Sequence, residues 1–204
     1  MEPVQCVVFD LGKVLVDFDY GIAGRKLAGR ASMAAAELGQ FLVSVPLIIR
    51  YETGLITSEE FFQEVRATSG FLGSLEEFAS LFADIFTPIQ PMVELHAQLR
   101  AKGLPTYIFS NTNELAVRFI RQNFPFFHHF DDYILSYEHR AMKPDSRLYE
   151  VVEDRSGSRR GQILYIDDRP ENIAAGAARG WRVILQESPE KTRAAIHDFG
   201  LLGP

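Results

Sequence analysis

Five short runs of apolar and β-branched residues, VQCVVFD, PTYIFS, DYILS, QILYID and RVILQ, constrain this chain more than any other feature. They are near-continuous rather than alternating, which belongs to strands of a parallel sheet covered on both faces. Parallel neighbours need crossover segments, and helix-patterned stretches lie between the later runs. PMVELHAQLRAKG sets Val93, Leu95 and Leu99 close to one face and ends in Gly103, suited to a left-handed C-cap. PENIAAGAARG repeats the arrangement, with Pro170 near the helix start and Gly180 beyond its end. The expected fold class is therefore α/β, a doubly wound (Rossmann-like) parallel sheet core.

The span 17–88 reads differently. FLVSVPLIIRYETG, TSEEFFQEVRATSG and LEEFASLFADIF carry helical patterns, and no convincing strand lies among them. Thr57 or Ser58 is an expected N-cap, with Glu60 placed for a capping box. The expected organisation is a core domain made of 1–16 and 89–204, with a helical cap, 17–88, inserted after the first strand. A length of 204 residues suits one domain with a substantial insertion as well as it suits two domains. No repeat, coiled coil or low-complexity tract occurs, and SGSRRG reads as a loop.

A net charge of −6, with no basic cluster beyond Arg159 and Arg160, argues against a nucleic-acid partner. The opening MEPVQCVVFDLG has no basic segment before its apolar stretch, and Asp10 breaks that stretch. Neither a signal peptide nor a membrane span is expected. The one cysteine, Cys6, permits no internal disulfide, so a cytoplasmic setting is expected. His128 and His129, ahead of Asp131 and Asp132, read as a surface turn, because adjacent histidines do not face one ion as i,i+4 pairs do. His96, His139 and His197 stand alone, and none is read as a ligand.

In an open parallel sheet, ligands collect at the carboxyl ends of the strands. Asp10 stands at the end of the first run, Ser110 and Asn111 in FSNTN at the end of the second, and Asp167 and Asp168 in IDDRPEN at the end of the fourth. Lys143 precedes a helix in MKPDSRLY. Singly these are a turn aspartate, a loop pair, a solvated lysine and a helix cap. Together they supply a nucleophile, hydroxyl and backbone donors, a fixed cation and a hard-metal site.

That ordered set resembles the haloacid dehalogenase superfamily over nearly the whole chain, including the helical block between the first two motifs. The resemblance implies that Asp10 is a nucleophile forming an aspartyl-phosphate, which splits one difficult hydrolysis into two easier steps. Phosphate brings about two negative charges toward an anionic attacker, and Mg²⁺ with its oxygen ligands suits their neutralisation. By the same resemblance the metal ligands are Asp10, the Gly12 carbonyl and Asp168. Asp167 stands where glycine is common and becomes a supporting or alternative ligand. Asn172 would orient Asp168 or a metal-bound water. Ser110 and the Asn111 amide would bind the transferring phosphoryl oxygens, and Lys143 would share its charge between Asp10 and the phosphate. The catalytic set is thus Asp10, Ser110 and Lys143, and the substrate-binding set Ser110, Asn111 and Lys143.

Many phosphatases of this superfamily carry an aspartate two residues after the nucleophile, where it protonates the leaving oxygen. Gly12 occupies that position here and can move no proton. FDLGKVLVDFD with FSNTN and IDDRPEN resembles a bacterial subgroup that includes a glucose-1-phosphate phosphatase, and an anomeric hydroxyl leaves more easily than a plain alcohol. The expected function is a Mg²⁺-dependent phosphatase of small phosphorylated metabolites, sugar 1-phosphates among them. The alternatives are a hydrolytic 2-haloacid dehalogenase, whose halide needs no proton, and a non-catalytic module binding phosphate or a partner. The dehalogenase leaves Asp167 and Asp168 without purpose and repulsive to an acid substrate. Asp17 and Asp19, where the chain leaves the core, read as hinge or capping residues. Tyr20, Arg50 and Tyr51 are cap residues outside the expected site. Monomer and homodimer stay open, since the aromatic-rich cap could pack internally or against a partner.

Overall fold

Strand β1 (Cys6–Phe9) is buried along its whole length, and its residues alternate between two cores. Val7 and Phe9 pack with Ile108, Leu164 and Ile166, while Cys6 and Val8 pack with Tyr107, Phe109, Ile163 and Tyr165. Successive side chains of a strand point to opposite faces, so two apolar faces write a continuous apolar run. In this computed structural model, which describes residues 2–202, the five runs become the five strands of one sheet. The others are β4 (Thr106–Ser110), β5 (Asp132–Leu135), β6 (Ile163–Asp167) and β7 (Arg182–Leu185).

All neighbours are parallel, in the order β5-β4-β1-β6-β7. From β1 the chain builds outward through β4 and β5, then returns to the other side for β6 and β7. The direction of winding therefore switches beside β1, where an open sheet of this kind leaves a crevice at its carboxyl edge. Helices α6 (Gln90–Ala101), α7 (Glu114–Asn123), α8 (Ser136–His139), α9 (Ser146–Ser156), α10 (Pro170–Ala178) and α11 (Pro189–Asp198) make the connections and the C-terminal flank. Gly103 and Gly180 take the left-handed conformation beyond α6 and α10, with φ of +78° and +82°.

Between β1 and α6 lies the helical insertion: α1 (Tyr20–Ala28), α2 (Ala35–Leu42), α3 (Leu47–Glu52), α4 (Ser58–Ser69) and α5 (Leu75–Ala83). Thr57 caps α4 in a full capping box with Glu60, and Asp19 caps α1 by accepting from the Gly21 amide at 2.7 Å. The cap has its own core, in which Tyr51, Phe61, Phe62, Phe78 and Phe82 are buried against one another. Its aromatic residues thus pack inward.

The expectation of no strand in this span is corrected. Val16–Phe18 (β2) and Phe86–Pro88 (β3) pair antiparallel, with Asp17 opposite Thr87, and form a two-stranded stem where the insertion leaves and rejoins the core. Each strand has three residues, too few to establish a period of two in sequence, and a two-stranded ribbon needs packing on its neighbours for stability. The exposed His128 and His129 end a 3₁₀ turn, Pro125–His129, just before β5. No helix among the described residues is long and apolar enough to cross a membrane.

Candidate active site

The register of the central strands dictates the site. Phe9 pairs with Ile166, and the Asp10 amide donates to the Ile166 carbonyl at 2.9 Å, so Asp10 and Asp167 become lateral neighbours. Adjacent strands stand about 4.8 Å apart, a separation at which two buried carboxylates repel strongly. Lys143 resolves this. Its Nζ lies 3.0 Å from Asp10 Oδ1 and 2.6 Å from Asp167 Oδ2, and it also donates to the Phe109 carbonyl at 2.7 Å. The lysine side chain is 1% exposed, and its ammonium sits against the rings of Phe109 and Tyr165.

Asn111 fixes Lys143 in turn. Its side chain accepts from the Lys143 amide at 2.7 Å and donates to the Lys143 carbonyl at 3.0 Å. Burial alone would push the lysine pKa down, but the Asp10 and Asp167 charges outweigh that and hold it above its ordinary value. Asp167 shows the same balance in reverse: burial pushes upward, and the Lys143 charge and hydrogen bond win, leaving its pKa lowered.

The three aspartates are not equivalent. Asp10, Asp167 and Asp168 each present an oxygen within 4.8 Å of the others, a spacing that could surround one cation. Asp167, however, already accepts from Lys143, the Tyr165 hydroxyl, the Asn172 amide at 3.0 and 3.1 Å and the Arg169 amide at 2.8 Å. Its lone pairs are committed to the protein. Asn172, expected to orient Asp168 or a water, instead braces Asp167. Asp10 Oδ1 is held by Lys143 and by the Leu11 amide at 2.7 Å, and no protein donor among the described residues takes Oδ2. Asp168 is half-buried and bonded by no other side chain among the described residues. Burial, then the Asp167 charge, raises its pKa.

Asp10 and Asp168 line one pocket of about 180 Å³ together with Gly12, Asn111, Lys143 and Asn172. Ser110, 2% exposed, lines an adjoining hollow of about 40 Å³ with Gly12 and Asn111, and its hydroxyl reaches only the Asn111 carbonyl, at 3.4 Å. A larger hollow of about 570 Å³ beside α1 and α2 is lined by Asp19, Tyr20 and Arg25 among small and apolar residues, and gathers no cluster of carboxylates. Three carboxylates converge here on one buried ammonium, with Lys13 and Arg169 also on the pocket, and Asp10 and Asp168 offer hard oxygen donors. That donor set fits a divalent cation such as Mg²⁺, which takes one or two carboxylates and keeps positions for phosphate or water. Burial lifts the Asp10 pKa to about 7, with Lys143 pulling against that shift and Asp167 adding to it.

Gly12 has a steric reason as well as a chemical consequence. A Cβ there would lie 2.8 Å from the Phe18 ring, so the stem strand β2 fills the space that a side chain at position 12 would need. Sequence reasoning missed Phe18, and it missed Glu52, which ends α3 and lines both the pocket and the adjoining hollow. It set Tyr20 aside, yet Tyr20 lines both as well. Nothing in RYETG marks Glu52, because cap and core meet only through tertiary structure. Arg50 forms a two-point ion pair with Glu64 at 3.0 and 2.9 Å. The Tyr51 hydroxyl bonds Ser58 at 2.7 Å and accepts from the Leu115 amide at 3.3 Å, joining cap to core. Asp17 is exposed and paired with Lys13.

Residues 4–180 match the family model of haloacid dehalogenase-like hydrolases. An (S)-2-haloacid dehalogenase of Pseudomonas fluorescens is 29% identical over 97 residues, which are 48% of this chain and 43% of that protein. The chain thus spans under half the length of that curated relative. The sesquiterpene phosphatase astK of Aspergillus oryzae is 22% identical over 179 residues, 86% of each chain. In structure, the chain superposes on the HAD family enzyme bt-2542 of Bacteroides thetaiotaomicron in its complex with magnesium and inorganic phosphate. The TM-score is 0.75, with 21% identity, covering 89% of this chain and 93% of that one.

Proposed function

Because the chain belongs to the haloacid dehalogenase-like hydrolases, we propose that it is a Mg²⁺-dependent phosphatase of small phosphomonoesters, acting through an aspartyl-phosphate on Asp10. The observation that carries this reading is the division of labour among the carboxylates. Among the described residues Asp10 Oδ2 accepts from no protein donor and Asp168 from no other side chain, both on one pocket, while Asp167 is consumed in holding Lys143. The magnesium and phosphate bound by the Bacteroides enzyme, and the phosphatase named in Aspergillus, support it.

In this reading Asp10 Oδ2 attacks phosphorus, and the Leu11 amide and Lys143 hold Oδ1 so that the free oxygen is aimed. Lys143 offsets the charge that gathers as the anion meets the carboxylate, in a buried setting where such a charge acts strongly. Asn111 fixes the backbone that carries Lys143, and Ser110 with the Asn111 amide receives phosphoryl oxygens. When bound, Mg²⁺ supplies charge neutralisation for the phosphate and keeps Asp10 ionised; Asp10, Asp168 and the Gly12 carbonyl would hold it. The pocket, smaller than the roughly 300 Å³ at which ligand sites usually begin, favours a compact substrate, and sugar 1-phosphates belong to that class. The core formed by 1–16 and 89–204 carries the chemistry in this account, and the cap, 17–88, shapes access to it.

The match to the haloacid dehalogenase keeps a second reading alive, displacement of halide by Asp10. Asp168 on the same pocket opposes it, since a 2-haloacid would bring its own carboxylate beside Asp10 and Asp168. The test is phosphate release from a panel of sugar phosphates, nucleotides and acyl phosphates, with Mg²⁺ and with chelator, beside Asp10→Asn. Metal-dependent release abolished by the substitution is expected. Silence across the panel, or chloride release from 2-chloropropionate without metal, overturns the proposal.

A further inference from the structure

Glycine at position 12 removes a proton carrier from the core side of the site, and Phe18 stands where its side chain would have to go. A phosphate ester with a basic leaving group still needs a proton delivered to the departing oxygen. Three acids line the pocket: Asp10, Asp168 and Glu52. Resting on the phosphatase reading above, Asp10 attacks and Asp168 holds the cation, which leaves one acid without a task.

We infer that Glu52, carried into the pocket by the cap, is the general acid and base of this phosphatase. Its position is built rather than incidental. It is the last residue of α3, and its backbone carbonyl accepts from Ser136 Oγ at 2.5 Å. Ser136, fully buried where β5 ends, also accepts from the Thr112 amide at 2.9 Å beside β4. One hydroxyl therefore ties the end of α3 to the carboxyl edge of the sheet. Two residues on, Gly54 turns with φ +68° against Tyr137, so closely that a Cβ would lie 2.0 Å from the Tyr137 carbonyl oxygen. The turn that follows Glu52 is seated on the core backbone.

Its surroundings suit the role. The charged or titratable groups around it on the pocket are Asp10, Lys13, Tyr20, Lys143, Asp168 and Arg169. No hydrogen bond or ion pair joins its side chain to any of them. Burial first, then the Asp10 charge, raises its pKa to about 7, with Arg169 opposing. A carboxylic acid near that value holds a proton at neutral pH and gives it up readily. Phosphate arriving with negative charge strengthens its hold on the proton until the leaving oxygen develops charge of its own.

The steps balance. As the Asp10 Oδ2–P bond forms and the bond from phosphorus to the leaving oxygen breaks, Glu52 transfers its proton to that oxygen and becomes a carboxylate. Water then attacks phosphorus, Glu52 takes its proton, and Asp10 departs from phosphorus with the bonding pair as a carboxylate. Inorganic phosphate and protonated Glu52 result.

The experiment compares wild type, Glu52→Gln, Glu52→Asp and Asp10→Asn with Mg²⁺ on phenyl phosphate, 4-nitrophenyl phosphate and 2,4-dinitrophenyl phosphate. It reads kcat/KM, which ends at release of the phenol, as a function of pH. For Glu52→Gln the expected loss is about 10²- to 10⁴-fold on phenyl phosphate, shrinking steadily to under about 10-fold on the dinitrophenyl ester, whose phenolate leaves without a proton. The alkaline limb of the wild-type profile on phenyl phosphate disappears with it, and Glu52→Asp recovers part of the rate. Equal loss on all three esters, or none, overturns the inference while Asp10-dependent turnover by the wild type leaves the phosphatase reading standing. Wild-type turnover no greater than that of Asp10→Asn refutes that reading, and the role of Glu52 with it.

Discussion

Replacing Lys143 by methionine keeps the length and apolar stem of the side chain and removes only its charge and donors. In the folded protein that charge separates two carboxylates and is bonded to Asp10, Asp167 and the Phe109 carbonyl within 3.0 Å. Breaking a buried ion pair by deleting one partner costs about 3–5 kcal/mol, because the remaining charge stays buried without compensation. In a domain of this size each kcal/mol moves the melting temperature by about 2–4 °C, so a fall of roughly 6–20 °C is expected. The pH dependence gives the sharper check. In the wild type the Asp167 pKa is lowered on folding, so its stabilisation is present above the unfolded carboxylate pKa and fades as pH falls. In Lys143→Met the facing carboxylates lose the ammonium and at least one titrates above its unfolded value, so that group stabilises at low pH and the contribution is lost as pH rises. Asp10 already titrates at about 7 in the wild type, so both proteins lose its contribution as pH rises to that value, and the gap between them widens as pH rises beyond about 7. Thermal melts in chelator on both sides of that value measure it. A variant melting within about 2 °C of the wild type at pH 8, or a gap independent of pH, would refute the argument.

Gly12→Asp should destabilise by about 1–3 kcal/mol in urea titrations, since its Cβ meets the Phe18 ring at 2.8 Å. Measured in the background of Phe18→Ala, the same change should cost clearly less, and equal costs would show that the ring is not the obstacle. Gly54→Ala meets both a positive φ and the Tyr137 backbone, so it should cost more than Gly103→Ala, which has positive φ but nothing within 4 Å and is expected to cost about 1–2 kcal/mol. Mg²⁺ at about one hundred times its dissociation constant should stabilise the wild type by about 2.7 kcal/mol, and Asp168→Asn should erase most of the resulting rise in melting temperature. The rise should shrink at acid pH, because burial and Asp167 raise the Asp168 pKa and protons then compete with the cation.

The sheet was legible because burial on both faces writes itself as continuous apolar runs, and each of the five runs is a strand. The acids at the strand ends were legible for a related reason: parallel register brings those ends to one edge, so Asp10 and Asp167 meet although 157 positions separate them. What sequence could not rank was which aspartate remains available. That follows from the four donors converging on Asp167, among them Tyr165, whose hydroxyl looks in sequence like part of an ordinary apolar strand. The β2 and β3 stem was hidden by its brevity. Glu52 was hidden more deeply, since its place depends on Ser136 and Tyr137, more than eighty residues later in the chain.

The most direct test of the central claim is a rapid acid quench of the wild-type protein with Mg²⁺ and its best phosphomonoester in ¹⁸O-water, followed by mass spectrometry of the peptide bearing Asp10. The account expects a phosphoryl group on Asp10 within a single turnover, absent from Asp10→Asn, with the heavy oxygen appearing in released phosphate. Phosphate released with no phosphoryl group ever found on Asp10, or heavy oxygen entering the Asp10 carboxylate, would contradict it.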